Sequence, residues 1–69
     1  MTILEIKENI VREDKMMCAI KCETAETTIN DMLAGRRNRE TELGRKIMAE
    51  LERLARINIS AKKQKQLVA

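Results

Sequence analysis

Cys18 and Cys22 are the residues of this 69-residue chain best suited to nucleophilic, redox or metal chemistry, and the rest of the chain argues against all three. A reactive thiolate needs a cation or base to lower its pKa. The chain has no histidine, no aromatic residue and no proline, and neither cysteine has an evident activating partner. Two thiols alone fall short of a tetrahedral zinc site. A disulfide framework needs more cysteines and an oxidising setting. Four residues apart, the two fall on one face of a helix and read as small buried hydrophobes. No glycine-rich phosphate loop is present either. No enzymatic activity, no cofactor and no small-molecule substrate is therefore expected.

The other chemistry on offer is electrostatic. The net charge is +3, but it is unevenly spread. Residues 1–35 carry four basic and seven acidic side chains, whereas residues 36–69 carry ten basic and four acidic. Such asymmetry points to a polyanion contacted from the C-terminal half. The plain alternative is a solvated helix face with a basic tail that binds nothing. No apolar run approaches the roughly 20 residues that cross a membrane. Met1 to Ile10 contains Glu5, Lys7 and Glu8 and does not resemble a secretory leader. The expected setting is a reduced cytoplasm, with no membrane contact.

The elements that must position these charges are helical. Ile3, Ile6 and Ile10 follow helical offsets, while Leu4 and Ile6 would fit one face of a strand, so residues 1–11 read as a short helix or an extended arm. Asp14 is the N-cap expected for a helix running to Lys21 or Cys22. Glu23-Thr24-Ala25 is the connection, and Thr24 is the cap expected for a second helix over Ala25–Leu33. Ile29, Met32 and Leu33 form its buried stripe, and Gly35 suits a left-handed C-terminal cap. A long helix is expected over Asn38–Ile57, capped by Asn38 or Thr41. Its stripe is Leu43, Ile47, Leu51 and Leu54, with Met48 and Ala55 beside it. Glu42–Lys46 and Glu52–Arg56 are favourable four-apart pairs. Gly44 inside this helix either admits a close neighbour or is merely tolerated. Five methionines suggest a pliable core. Asn58–Ala69, with Lys62, Lys63 and Lys65, reads as a flexible basic tail. The expected architecture is a small all-α bundle over residues 1–57 with that tail over 58–69. A chain this short buries only about 60% of its unfolded surface and gains from a partner.

Residues 13–57 resemble the helix-turn-helix of the Cro and phage-repressor-like regulators. Ala19 stands at the fifth motif position, where that family keeps a small residue beneath the crossing helix. Ile29, ten residues later, matches its β-branched core plug, and Met32 the next apolar position. Gly35-Arg36-Arg37 matches its glycine followed by basic residues. Glu23 replaces the usual turn glycine and Thr24 the usual apolar residue after it. The left-handed turn can be made without glycine, at some cost.

The resemblance implies that Ala25–Leu33 is the recognition helix and that its first turns enter the major groove. Its outer residues would be Ala25, Glu26, Thr27, Asn30 and Asp31, with Asp31 toward the edge. Asn30 suits two-pronged pairing with adenine, and Glu26 can accept from cytosine N4. Thr27 and Thr28 can donate to base or phosphate. Base contacts are thus assigned to Ala25, Glu26, Thr27 and Asn30. Phosphate contacts are assigned to Thr28, Arg36, Arg37 and Arg39. The implied function is transcription regulation of bacterial or phage type on double-stranded DNA. A homodimer is expected because paired half-sites multiply affinity, and part of the long helix could serve the pairing. The competing reading is a small helical interaction module, antitoxin-like or a phage inhibitor, whose basic half binds an acidic protein.

Overall fold

Thr2 opens the first helix. Its hydroxyl accepts from the Glu5 N–H at 3.2 Å, and the Glu5 carboxylate accepts from the Thr2 N–H at 3.3 Å. Two end donors are satisfied by this reciprocal box, which settles the ambiguous N-terminal segment as helix. The computed structural model describes the backbone of residues 1–68 and the side chains of residues 1–63. Within them the chain is all-helical, without a strand: α1 (Ile3–Glu8), α2 (Arg12–Lys21), α3 (Glu26–Leu33) and α4 (Glu42–Val68). No helix among the described residues is long and apolar enough to cross a membrane.

Helix α2 starts two residues earlier than Asp14. Val11 is its N-cap, and Asp14, in the third helical position, accepts from the Val11 N–H at 3.0 Å. The same carboxylate oxygen accepts from Asn58 Nδ2 at 2.8 Å, and that amide also donates to the Asn9 carbonyl at 2.7 Å. Lys62 Nζ reaches Asn9 Oδ1 at 3.3 Å. These bonds hold α4 against the α1–α2 junction and explain a correction. The helix passes the expected boundary at Ile57 and continues through Val68, where a flexible tail was expected. Lys65 lies outside the described side chains. At 1.5 Å per residue, 27 residues span about 40 Å, which matches the 41 Å long axis of the molecule.

Of the two caps considered for α4, Thr41 serves, its hydroxyl accepting from the Gly44 N–H at 3.0 Å. Asn38 instead accepts from the Glu40 N–H at 2.9 Å in the preceding turn. A Cβ on Gly44 would sit 2.7–2.9 Å from the backbone of Arg39, so the close neighbour of this glycine is the α3–α4 connection. Of the two expected four-apart pairs, Glu52–Arg56 forms at 3.2 Å. Glu42–Lys46 is not among the ion pairs of the described residues.

The core joins Ile6 and Ile10 to Cys18, Ala19 and Cys22 of the α2 region, to Ile29, Met32 and Leu33 of α3, and to Ile47, Leu51, Leu54 and Ala55 of α4. Both cysteines are buried and free. Two expectations need correcting. Leu43 is exposed, because α4 turns its first apolar residue away from the cluster. The core is also not methionine-rich: Met32 is buried and Met48 half-buried, while Met1, Met16 and Met17 face solvent.

Candidate nucleic-acid interface

The position of α3 is set by a turn centred on Glu23, whose φ is +55°. The Glu23 N–H bonds the Ile20 carbonyl at 3.2 Å, and the Thr24 N–H bonds the Ala19 carbonyl at 2.9 Å. This pair of bonds is the Schellman closure that ends a helix when the next residue is left-handed. Burying Ala19 and Cys22 lets α3 pack closely on α2. The expected cap is corrected by one residue: Ala25 is the N-cap of α3, extended at φ −87° and ψ 150°, and makes no side-chain capping bond. Thr24 is half-buried in the turn.

Helix α3 divides cleanly into two faces. Thr28, Ile29, Met32 and Leu33 are buried, whereas Ala25, Thr27 and Asn30 are exposed. Thr28 is only 7% exposed, so its expected contact with phosphate is corrected: the side chain belongs to the interior. Asn30 has no hydrogen-bonding side-chain partner among the described residues, leaving its amide available. Glu26 and Asp31 are half-buried, and each is held by a cation. Arg12 lies 3.8 Å from Glu26. Arg36 donates from Nε at 3.0 Å and Nη2 at 2.8 Å to one Asp31 oxygen, and Arg37 lies 3.8 Å from the other. The carboxylates that would repel a polyanion are thus partly neutralised by neighbours that would attract one.

At the far end of α3, Gly35 takes φ +80°, the Gly35 N–H bonds the Met32 carbonyl at 3.1 Å, and the Arg36 N–H bonds the Asp31 carbonyl at 2.8 Å. Arg39, assigned above to phosphate, is turned inward. Its Nε donates to the Met32 carbonyl at 2.9 Å, so it caps the helix and is half-buried. Arg36 and Arg37 remain exposed.

The fold also supplies cations that sequence reasoning missed. A shallow recess beside Asn30 is lined by Lys7 of α1, Lys15 of α2, Leu33 and Ala34. Arg12, at the start of α2, stands on the same side through its pair with Glu26. Nothing in the local sequence around Lys7 or Lys15 marks them, because they meet α3 only through the packing of α1 and α2. Lys62 goes the other way, to Asn9 on the α1–α2 junction.

The remaining candidate chemistry is quiet. Burial, then the neighbouring Cys22, pushes the Cys18 thiol up to about 12, and its sulfur lies 3.8 Å from the Ile47 carbonyl. A thiol so placed is neutral near pH 7 and a poor nucleophile. Among the described residues, no three His, Cys, Asp or Glu side chains are grouped to hold a metal ion. No protein-family model matches this chain, and no curated protein or solved structure is significantly similar to it.

Proposed function

We propose that the chain binds double-stranded DNA sequence-specifically as a non-enzymatic transcription regulator of bacterial or phage type, and that it acts as a homodimer. One observation carries this reading. Helix α3 buries one face completely, leaves Ala25, Thr27 and Asn30 bare on the other, and is bordered there by Lys7, Arg12, Lys15, Arg36 and Arg37. An exposed helix of small polar residues edged by cations suits a groove whose rims are phosphates.

In this reading Asn30 pairs with the N6 and N7 edge of adenine, and Ala25 meets a thymine methyl. Thr27 donates to a base edge. Glu26 accepts from cytosine N4 once Arg12 shifts to a phosphate. Arg36 and Arg37 exchange Asp31 for the DNA backbone and fix the register of α3. The N–H groups at the start of α3, which no side chain caps, favour a phosphate there as well.

The test is a fluorescence-anisotropy titration with mixed genomic DNA fragments at two salt concentrations, beside an Arg36→Ala/Arg37→Ala variant. Binding should fall steeply with salt. The variant should bind more weakly on all sequences, and its log–log salt slope should be shallower by about 0.9 for each phosphate it no longer neutralises. Absence of binding at low salt would overturn the reading and favour an acidic protein as the partner of the basic half.

A further inference from the structure

Lys7 of α1 is exposed and Lys15 of α2 is half-buried, and both line the shallow recess beside Asn30. Among the described residues, every arginine, Lys21 and Lys62 has an ion-pair or hydrogen-bond partner. Lys7, Lys15, Lys46 and Lys63 have none, and two of these four meet in one recess. Its lining holds the two cations, the Asn30 amide and the apolar Leu33 and Ala34, and no carboxylate. Two ammonium groups that share a recess without a counter-charge repel each other, and an anion between them removes the repulsion.

The chain itself supplies no such anion. No acidic residue stands three or four positions from either lysine, the spacing at which ion pairs form along a helix. Glu5 and Glu13, two positions before them, point to other faces. Glu8, next to Lys7, lines a different recess with Asn58. Asp14, next to Lys15, accepts from Val11 and Asn58. Asp31, next to Asn30, is held by Arg36 and Arg37. Nor are the lysines needed as caps. The Asn30, Asp31 and Met32 carbonyls at the end of α3 accept from the N–H groups of Ala34, Arg36 and Gly35.

We propose that this recess is a phosphate site, in which one phosphate group bridges the Lys7 and Lys15 ammonium groups beside the Asn30 amide. Ammonium groups are compact point charges that suit a tetrahedral oxyanion, whereas a planar carboxylate is better matched by the fork of arginine. A free phosphate or monoester carries about −1.5 to −2 at neutral pH and offsets both lysines. A backbone phosphate of DNA carries a single charge and meets the same donors, next to the base read by Asn30. The DNA source rests on the proposed function and gives α1 a part in it. The free source does not. Two solvent-facing lysines hold a free anion weakly, on the order of millimolar.

Two-dimensional NMR of the full isotope-labelled chain tests the free source, with sodium phosphate titrated against sodium chloride at matched ionic strength. The Asn30 side-chain amide and the Lys7 and Lys15 signals should shift saturably with phosphate and not with chloride. Lys7→Gln/Lys15→Gln should lose these shifts. Lys46→Gln, which removes an unpaired charge outside the recess, should keep them. Anisotropy titration tests the DNA source. The double variant should flatten the log–log salt slope by about 0.9, the value for one phosphate. Saturable shifts with an unchanged slope identify free phosphate as the ligand, and a flatter slope without shifts identifies the DNA backbone. A slope loss of about 1.8 would assign each lysine its own phosphate and overturn the bridge. Neither shifts nor a changed slope would overturn the site, and DNA binding by the double variant as tight as wild type would then leave the proposed function standing. Phosphate bound here by a chain that binds no DNA would keep the site while the proposed function fell.

Discussion

Glu23 and Gly35 occupy the same place at the ends of α2 and α3. Each is the residue after the helix cap, each has positive φ, +55° and +80°, and each closes its helix with the same pair of backbone bonds. Only one of them has the residue type that this conformation favours.

Glu23→Gly should therefore stabilise the fold. Relief of the left-handed strain, less the entropy gained by the unfolded chain, leaves about 1 kcal/mol, or a rise in Tm of about 4–8 °C for a chain of this size. Gly35→Ala should destabilise by a similar amount, because φ +80° strains any L side chain, even though the added methyl would meet only the Arg39 side chain at an ordinary 3.7 Å. Thermal unfolding followed by circular dichroism reads both, and a Glu23→Gly variant that melts lower would contradict a strained turn at Glu23.

Gly44 separates two opposing effects. Alanine gains at most about 1 kcal/mol over glycine in helix propensity, and less in the first turn of α4 where Gly44 lies. Here its methyl would enter the backbone of Arg39 at 2.7–2.9 Å. Backbone yields less than a side chain does, and overpacking costs typically about 1–3 kcal/mol. Gly44→Ala should lower the urea midpoint, while alanine at an exposed helical site of α4 would be neutral.

Asp31 pairs with both Arg36 and Arg37, which stay exposed to solvent. Asp31→Asn should release them. An exposed ion pair contributes about 0.2–1 kcal/mol, so affinity for mixed DNA should rise about two- to fivefold, with a steeper salt dependence and less discrimination between sequences. Unchanged affinity in anisotropy titrations would show that these arginines do not meet DNA.

The pH dependence of stability has two edges. Glu50 is held below its ordinary 4.5 first by Arg53 and then by Lys21, and Glu5 chiefly by the Thr2 N–H. Carboxylates with depressed folded pKa stabilise above 4.5 and lose that contribution as pH falls below it. Cys18 is the reverse. Its folded pKa of about 12 exceeds the ordinary 9.0, so the unfolded chain ionises first and stability falls as pH climbs from 9 toward 12. Urea midpoints across pH should show both losses. N-ethylmaleimide at neutral pH should label Cys18 only as fast as the chain unfolds, and rapid labelling of the folded protein would contradict its burial.

Much of the fold was legible locally, and the reason is that local effects act within a few residues. The 3.6-residue spacing of Ile47, Leu51 and Leu54 and of Ile29, Met32 and Leu33 announced the buried stripes, the four-residue gap announced two buried cysteines, and Gly35 announced the end of α3. The caps were misjudged by three residues at Asp14, where Val11 serves, and by one at Thr24, where Ala25 serves, because a polar side chain in the first turn or just before the cap has the same composition signal as the cap itself. Helix α4 outran its expected end because Asn58 is held by Asn9 and Asp14, which lie 49 and 44 residues away in the chain.

The candidate interface divides the same way. Sequence alone determined that α3 has an apolar face and a polar one and that cations cluster after Gly35. Only the tertiary structure decided that Thr28 turns inward, that Arg39 caps α3, that Asp31 restrains Arg36 and Arg37, and that Lys7 and Lys15 stand beside Asn30. Periodicity reports which face of a helix is buried. It is silent on which distant charges the packing brings to the other face, since Coulomb and hydrogen-bond partners are set by distance in space rather than along the chain.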